Sequence, residues 1–427
     1  MQLRGRLYIT PDAAAVLLIV LLWSRAVGAR IALSLTADKV FVPVGQEPIW
    51  PRAASLVSSL SFLLTAVVSV AIILFRINQV TRPGPWRIVV LLAPWVVILI
   101  RNLYSGSPPA ESVLYLLVVL ALAALRPSPR VLVALGVLVV LTAVIAIAFG
   151  FLMPDAGRVR DADGTVRERI DKAVFPSLGL LQGMFTAENI LGLYLSIGVP
   201  AVVMLPRWRW RLPSLAIVGF AISWSSSRNA MLATALMLVV GAAVWALAEY
   251  GRRRAASAVA RVAAVAAVVM MSVLPLSGWL SGGWDDDAYT ARGVIWNGSL
   301  TEWWSRGFVF GVGRDWYAQI AGSDLSPLPN GAFSGHNQFV HWLTTGGVVL
   351  AFFAVVSLLV QAYAITVPSS RYLAVAAMLV TGTFISGCFE VPLGFVDNAV
   401  FWTVTVIPLA VLFLARPEDT RYEIDTR

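Results

Sequence analysis

Apolar runs of close to twenty residues recur along this 427-residue chain, and nothing else in it limits the fold as much. A hydrocarbon core about 30 Å thick takes about 20 apolar residues to cross as a helix. A crossing segment has no water for its backbone N–H and C=O groups, so it must bond them internally, as a helix does. The chain is 59% hydrophobic and only 13% charged, with mean hydropathy +0.80. Soluble domains carry about 25% charged residues. The pattern predicts an all-α, polytopic membrane protein, residues 1–427 forming a single transmembrane domain. Twelve spans are expected near 12–35, 53–75, 88–101, 113–125, 131–153, 189–205, 212–227, 229–248, 262–281, 337–366, 372–388 and 395–415. The first apolar run, from Ala13, is not followed by a small-residue cleavage site and reads as a retained span.

The net charge of +9 does not imply nucleic acid. The basic residues are nearly all arginine, and their placement follows topology. With the N-terminus inside, 18 arginines fall in the inside segments, while the short outside connections hold only Lys39, Arg52, Arg101 and Arg228. Short loops decide orientation, so both termini of this multi-pass membrane protein are expected in the cytoplasm. Two outside segments interrupt the spans. Residues 154–188 are charged and contain Asp161-Ala162-Asp163-Gly164. Residues 282–336 carry Trp284, Trp296, Trp303, Trp304 and Trp316, too aromatic for a disordered tether, and read as a cap on the outer surface. Cys388 is the only cysteine; it cannot form an internal disulfide and reads as a buried small hydrophobe.

Three polar groups converge on the outer side in this topology. Ser225-Ser226-Ser227-Arg228-Asn229 sits at an outer turn; the arginine either snorkels to headgroups or, with the serine hydroxyls, binds an anion such as phosphate. Thr290-Ala291-Arg292-Gly293-Val294-Ile295-Trp296 precedes Gly311-Val312-Gly313-Arg314. Its arginine is either in a surface salt bridge, with Asp285–Asp287 as candidates, or is a second phosphate clamp. His336 and Asn337 open the next span. The histidine is either a cap-like packed polar group or a neutral imidazole able to take a proton from a hydroxyl. His341 lies five residues on, about 500° around a helix, so the rings do not share a face and a zinc pair is not expected.

Other polar residues carry weaker signals. Asp285-Asp286-Asp287 reads as a solvated turn or a divalent cation site. Glu188-Asn189 reads as a cap or as cavity lining. Glu390 and Asp397 read as counter-charges or acceptor contacts, and Arg25 and Arg30 as partners of acids or lipid phosphate. Arg207-Trp208-Arg209-Trp210-Arg211 is an inner interfacial anchor.

At these residues the chain resembles the O-antigen ligase and polymerase superfamily, membrane glycosyltransferases of the GT-C-like type. His336-Asn337 is followed by nine residues and Gly347, the spacing of the ligases; Leu350 departs from the Gly, Thr or Tyr preferred there. The Ser-Arg turn at Arg228, Arg292-x-x-x-Trp296 and Gly311-x-Gly313 also resemble the family, and Asn189 with Gly192 does so more loosely. The motifs lie within roughly residues 180–350. The layout resembles the family over the whole chain, with a large extracytoplasmic loop between the ninth and tenth of about twelve helices.

The resemblance implies transfer of a glycan from a polyprenyl-diphosphate donor to a glycan or glycolipid acceptor, inverting, with no metal or cofactor. Arg228 and Arg292 would bind the diphosphate and stabilise the leaving group. His336 would be the general base. Asn337, Ser227, Asn189, Arg314, Gly311 and Gly313 would contact substrate. The implied partners are these substrates and membrane lipids, with no nucleic acid, in a monomer or weak oligomer. A repeat-unit polymerase is the alternative within the superfamily. From other classes, a lipid-linked glycan transporter or flippase would place polar residues at mid-membrane, whereas charge here gathers at the lip. A polyprenyl-monophosphate glycosyltransferase would want acids in the first outside loop, which offers only Asp38 and Glu47; a non-catalytic scaffold is the remaining class.

Overall fold

The computed structural model describes residues 10–36, 51–82, 84–106, 110–160, 172–285, 288–320, 328, 334–395, 399–416 and 419. Lys39, Asp38, Glu47, Arg167, Arg169, Asp286, Asp287 and Asp397 lie outside the described residues. Regular structure among the described residues is helical, apart from one isolated bridge between Arg158 and Leu181.

The helices are α1 (Pro11–Thr36), α2 (Arg52–Phe75), α3 (Pro85–Tyr104), α4 (Ala110–Leu125), α5 (Leu132–Leu152), α6 (Glu188–Val203), α7 (Trp208–Ser225), α8 (Arg228–Glu249), α9 (Arg253–Leu280), α10 (Ala288–Arg306), α11 (Gln338–Ile365), α12 (Leu373–Ser386) and α13 (Val406–Leu414). Local chemistry starts α1. Thr10 accepts the Ala13 N–H at 3.2 Å, and Pro11 fills the first helical position, where no N–H is needed.

Seven of these helices, α1, α2, α3, α5, α8, α9 and α11, are long and apolar enough to cross a membrane, α5 counted with the turn that precedes it. Among the described residues seven helices, against the twelve spans expected, meet that length and composition. The apolar helix in α4 (Ser112–Leu125), α6 and α12 have 14, 16 and 14 residues, roughly 21–24 Å at 1.5 Å per residue, short of the core thickness. α7 gives its first turn to Arg209 and Arg211. Residues 395–415 do not form one helix. They fold as a 3₁₀ turn, Ala399–Phe401, followed by the nine-residue α13. The stretch from Phe401 to Ala415 is buried throughout, so it is core rather than a lipid-facing span. The region 282–336, expected as a cap, contains α10 and the short helix Trp316–Ile320; α10 packs on α9 and α11, and its Trp296, Leu300 and Trp303 are buried.

The burial pattern is that of helices in lipid. The buried face of α2 is Ala54, Ser61, Thr65 and Ser69, while Leu56, Leu60, Leu63 and Val67 point outward. α9 likewise buries Ala256, Ser257, Ala260, Ala264 and Ala267 and exposes Val262, Val265 and Val269. Small residues let helices approach, and large aliphatic residues face a solvent as apolar as themselves. Arginines inside this frame are covered by rings: the guanidinium of Arg25 lies over Phe62 at 4.9 Å and that of Arg30 over Phe185 at 5.6 Å.

α11 organises the far half of the bundle. α3 runs antiparallel to it: Ser357 donates to the Val90 carbonyl at 2.7 Å, and Arg101 donates to the Phe310 carbonyl at 3.0 Å beside a break in α11. The break is at Gly347, with φ 68° and ψ −167°.

Candidate active site

The start of α11 and the turn after α12 are tied together by the two residues that follow His336. Asn337 caps α11, its side-chain oxygen accepting the N–H groups of Phe339 and Val340 at 2.9 and 3.0 Å. Its amide group donates to the carbonyls of Met271 and Cys388 at 3.0 and 2.9 Å. Gln338 donates its backbone N–H to the Gly387 carbonyl at 2.8 Å and accepts the Leu393 N–H at 2.7 Å. These bonds bracket residues 387–393 and set Glu390 against His336.

Glu390 is the centre of the cluster. Its Oε1 accepts Arg292 Nη2 at 2.7 Å, and its Oε2 lies 3.3 Å from His336 Nδ1. Side-chain exposure is 14% for Glu390, 18% for Arg292 and 30% for His336, so the charges are largely but not wholly out of water. Burial pushes the Glu390 carboxyl up. The charge and hydrogen bond of His336, then those of Arg292, overcome that and hold it below the usual carboxylate value. A His336 tautomer with its proton on Nδ1 would donate to the ionised Glu390 and leave Nε2 with the lone pair.

Both partners are presented by left-handed backbone. His336 has φ 44°, and Tyr289, Thr290 and Ala291, just before Arg292, have φ 52°, 64° and 64°. Non-glycine residues reach this region at a cost, and such strain collects at functional sites. An aromatic cluster backs Arg292: Tyr289 lies 5.4 Å from Trp296 and 5.7 Å from Phe389, the neighbour of Glu390.

The other expected site residues divide. Arg228 is exposed at the first turn of α8. The next residue, Asn229, donates to the Ser386 carbonyl at 3.1 Å, the same oxygen that accepts Glu390 N–H at 3.1 Å. The α8 N-terminus therefore abuts the Glu390 turn. Ser227 and Ser225 are buried under a close approach of α6: a Cβ on Gly192 would stand 2.7 Å from Ser225 Oγ and from Ser227 Cβ. Asn189 is half-buried one turn above Gly192, beside Glu188, which pairs with Lys172 at 2.5 Å.

Gly311 and Gly313 have a structural task. Breaking α11 at Gly347 strands backbone groups, and the segment before Gly313 satisfies them. Val312 N–H donates to the Thr344 carbonyl at 2.7 Å, and Val348 and Val349 donate to the Phe308 and Val309 carbonyls at 3.0 and 3.3 Å. Gly311, at φ 68°, lies so close that a Cβ would meet Gly346 N at 2.4 Å; Gly313, at φ 109°, passes by the Arg101 guanidinium. Arg314 is half-buried just beyond. Asn337, with both donors and its acceptor engaged, is likewise a cap and tether. His341 is buried and stacked on Tyr317 at 5.4 Å. Burial raises the Tyr317 hydroxyl to about 12.

Residues 213–355 match the family model described as O-antigen ligase. This stretch is similar to the O-antigen ligase family. It contains Arg228, Arg292, Gly311, Gly313, His336, Asn337 and Gly347, all the residues on which the resemblance rests except Asn189 and Gly192. No curated protein matches the chain. Glu390 lies beyond the matched segment and was placed in the sequence only as a counter-charge or acceptor contact. Its acidic side chain in a turn between apolar runs was the available signal, but its two partners could not be read from sequence.

Proposed function

We propose that this O-antigen ligase-type membrane enzyme transfers a glycan from a polyprenyl-diphosphate donor to a hydroxyl of a glycan or glycolipid acceptor, as a ligase, on the extracytoplasmic face of a bacterial inner membrane. The observation that carries the reading is the single carboxylate, Glu390, shared by Arg292 and His336. Glu390 holds the His336 ring by Nδ1, so that Nε2 can take the proton of the acceptor hydroxyl as its oxygen attacks the anomeric carbon. The bond to the diphosphate breaks as the new one forms, with inversion. Arg292, and Arg228 from the adjoining helix end, supply guanidinium groups suited to the charge that grows on the departing diphosphate. Glu390 meanwhile stabilises the imidazolium that forms.

The test is transfer by purified, reconstituted protein given a polyprenyl-diphosphate glycan and an acceptor glycolipid. His336→Ala and Arg292→Ala should each abolish product formation while eluting as folded protein. Full transfer by either variant rules out the assignment. In cells, loss of the gene should leave the lipid-linked glycan to accumulate, which identifies the donor.

A further inference from the structure

Beside the Arg292–Glu390–His336 cluster one aromatic ring is held in the open. Tyr289 is 41% exposed, although it stands in a stack whose other members are covered. Its ring centroid lies 5.2 Å from that of Trp284, 5.4 Å from Trp296 and 5.7 Å from Phe389. Trp296 is buried, and Trp284 and Phe389 are half-buried. The stack is anchored on several elements. Trp284 Nε1 donates to the Pro275 carbonyl of α9 at 3.2 Å, Trp296 belongs to α10, and Phe389 to the turn after α12. Gly293 lets the segment fold back on α10: a Cβ there would stand 2.8 Å from Trp284 Cβ and 3.0 Å from Ala288 Cβ.

Holding the ring there is costly. Tyr289, Thr290 and Ala291 all have positive φ, and none is glycine. Such backbone persists only where its surroundings impose it, and it gathers at functional sites. Trp296 adds a second cost, a buried indole N–H with no hydrogen-bond partner among the described residues. A ring that only anchors in headgroups needs neither; it can sit on ordinary helix, as Trp304 does at 59% exposure.

The ring and the acid share one guanidinium. Arg292 Nη1 donates to the Tyr289 carbonyl at 3.4 Å, and Nη2 to Glu390 at 2.7 Å. A group bound by Arg292 is therefore a neighbour of Tyr289. The face of an aromatic ring is negative and attracts weakly positive edges, such as the C–H bonds gathered on one face of a pyranose. Aromatic walls with a few placed polar groups are the usual form of a ligand pocket.

We propose that Tyr289 stacks on the pyranose joined directly to the donor diphosphate. The inference rests on the transferase reading, in which Arg292 binds the diphosphate and the acceptor hydroxyl approaches His336. Stacking holds the sugar before and during transfer alike, so its loss falls on KM rather than kcat.

The test uses reconstituted full-length protein, the lipid-linked glycan that accumulates when the gene is lost, and an acceptor glycolipid. Tyr289→Leu keeps an apolar side chain and removes the ring. It should raise KM for the donor about tenfold, with kcat and the acceptor KM little changed. Tyr289→Phe should restore most of the donor KM. An unchanged donor KM in Tyr289→Leu, or a rise in the acceptor KM instead, overturns the stacking while leaving the transferase reading intact. Failure of the unaltered protein to transfer removes that reading, and the inference with it. Saturation-transfer NMR does not depend on the variants folding. With the unaltered protein and the same glycan on a short prenyl diphosphate, without acceptor, saturating aromatic protons should reach the C–H protons of the first sugar most strongly. Equal transfer to all the sugars, or none, overturns the proposal.

Discussion

Glu390 takes hydrogen bonds from side chains 54 and 98 residues away, and its charge is what makes them a unit. Glu390→Gln keeps the shape and removes that charge. The Nδ1–H of His336 then loses its anionic partner and the imidazolium loses its counter-charge. Transfer should fall on the order of 10²–10⁴-fold, in kcat more than in KM, the range for a positioned acid–base group. The same carboxyl ties stability to pH. Its pKa is lower in the folded protein than in the unfolded chain. Its contribution is therefore complete above the unfolded value and is lost as pH falls through the folded one. Melting temperature measured from pH 6 down to pH 3 should decline less in Glu390→Gln than in the unaltered protein. Asn337 makes the opposite kind of contribution. Asn337→Ala removes a helix cap, about 1 kcal/mol, and leaves two buried carbonyls short of donors, about 1–3 kcal/mol more. The variant should melt earlier, yet its folded fraction should retain more transfer activity than His336→Ala.

Among the elements, α11 shows what a motif can and cannot say. The interval from His336 to Gly347 was legible in the sequence, but the reason for the glycine was not. Gly347 breaks the helix at φ 68°, and a Cβ there would meet the Val309 carbonyl oxygen at 2.2 Å. The stranded groups at the break are taken up by residues 308–312, which explains Gly311 as well. Gly347→Ala should cost about 1–3 kcal/mol from the positive-φ backbone alone, with the Val309 contact adding to it. Loss of the folded, monodisperse fraction in detergent measures this; an unchanged melting temperature would mean the break is not needed. Most helices were legible because apolar composition and length report them directly. The run 395–415 was misread because composition reports burial, not continuity. It is buried, but as a turn and a nine-residue helix. The Glu390 cluster was illegible for a different reason. Its geometry depends on bonds from Asn337 and Gln338 to the turn beyond α12, and no local pattern encodes them.

For the molecule as a whole, the antiparallel pairing of α3 and α11 makes sidedness testable. Val90 lies beside Ser357, and Arg101 beside the segment 310–311. Thr81, exposed before α3, and Ser305, exposed at the end of α10 just before that segment, should therefore emerge on opposite faces of the membrane. The arginine count predicts which is which: short segments rich in arginine are expected to stay inside. Cys388 is buried, so it should contribute little background to labelling of introduced cysteines. In intact cells a membrane-impermeant maleimide should label Ser305→Cys, and Thr81→Cys only after permeabilisation. The reverse pattern would put the Glu390 cluster on the cytoplasmic face, where it could not serve an extracytoplasmic acceptor. Labelling of both in intact cells would contradict the antiparallel arrangement of α3 and α11 across the bilayer.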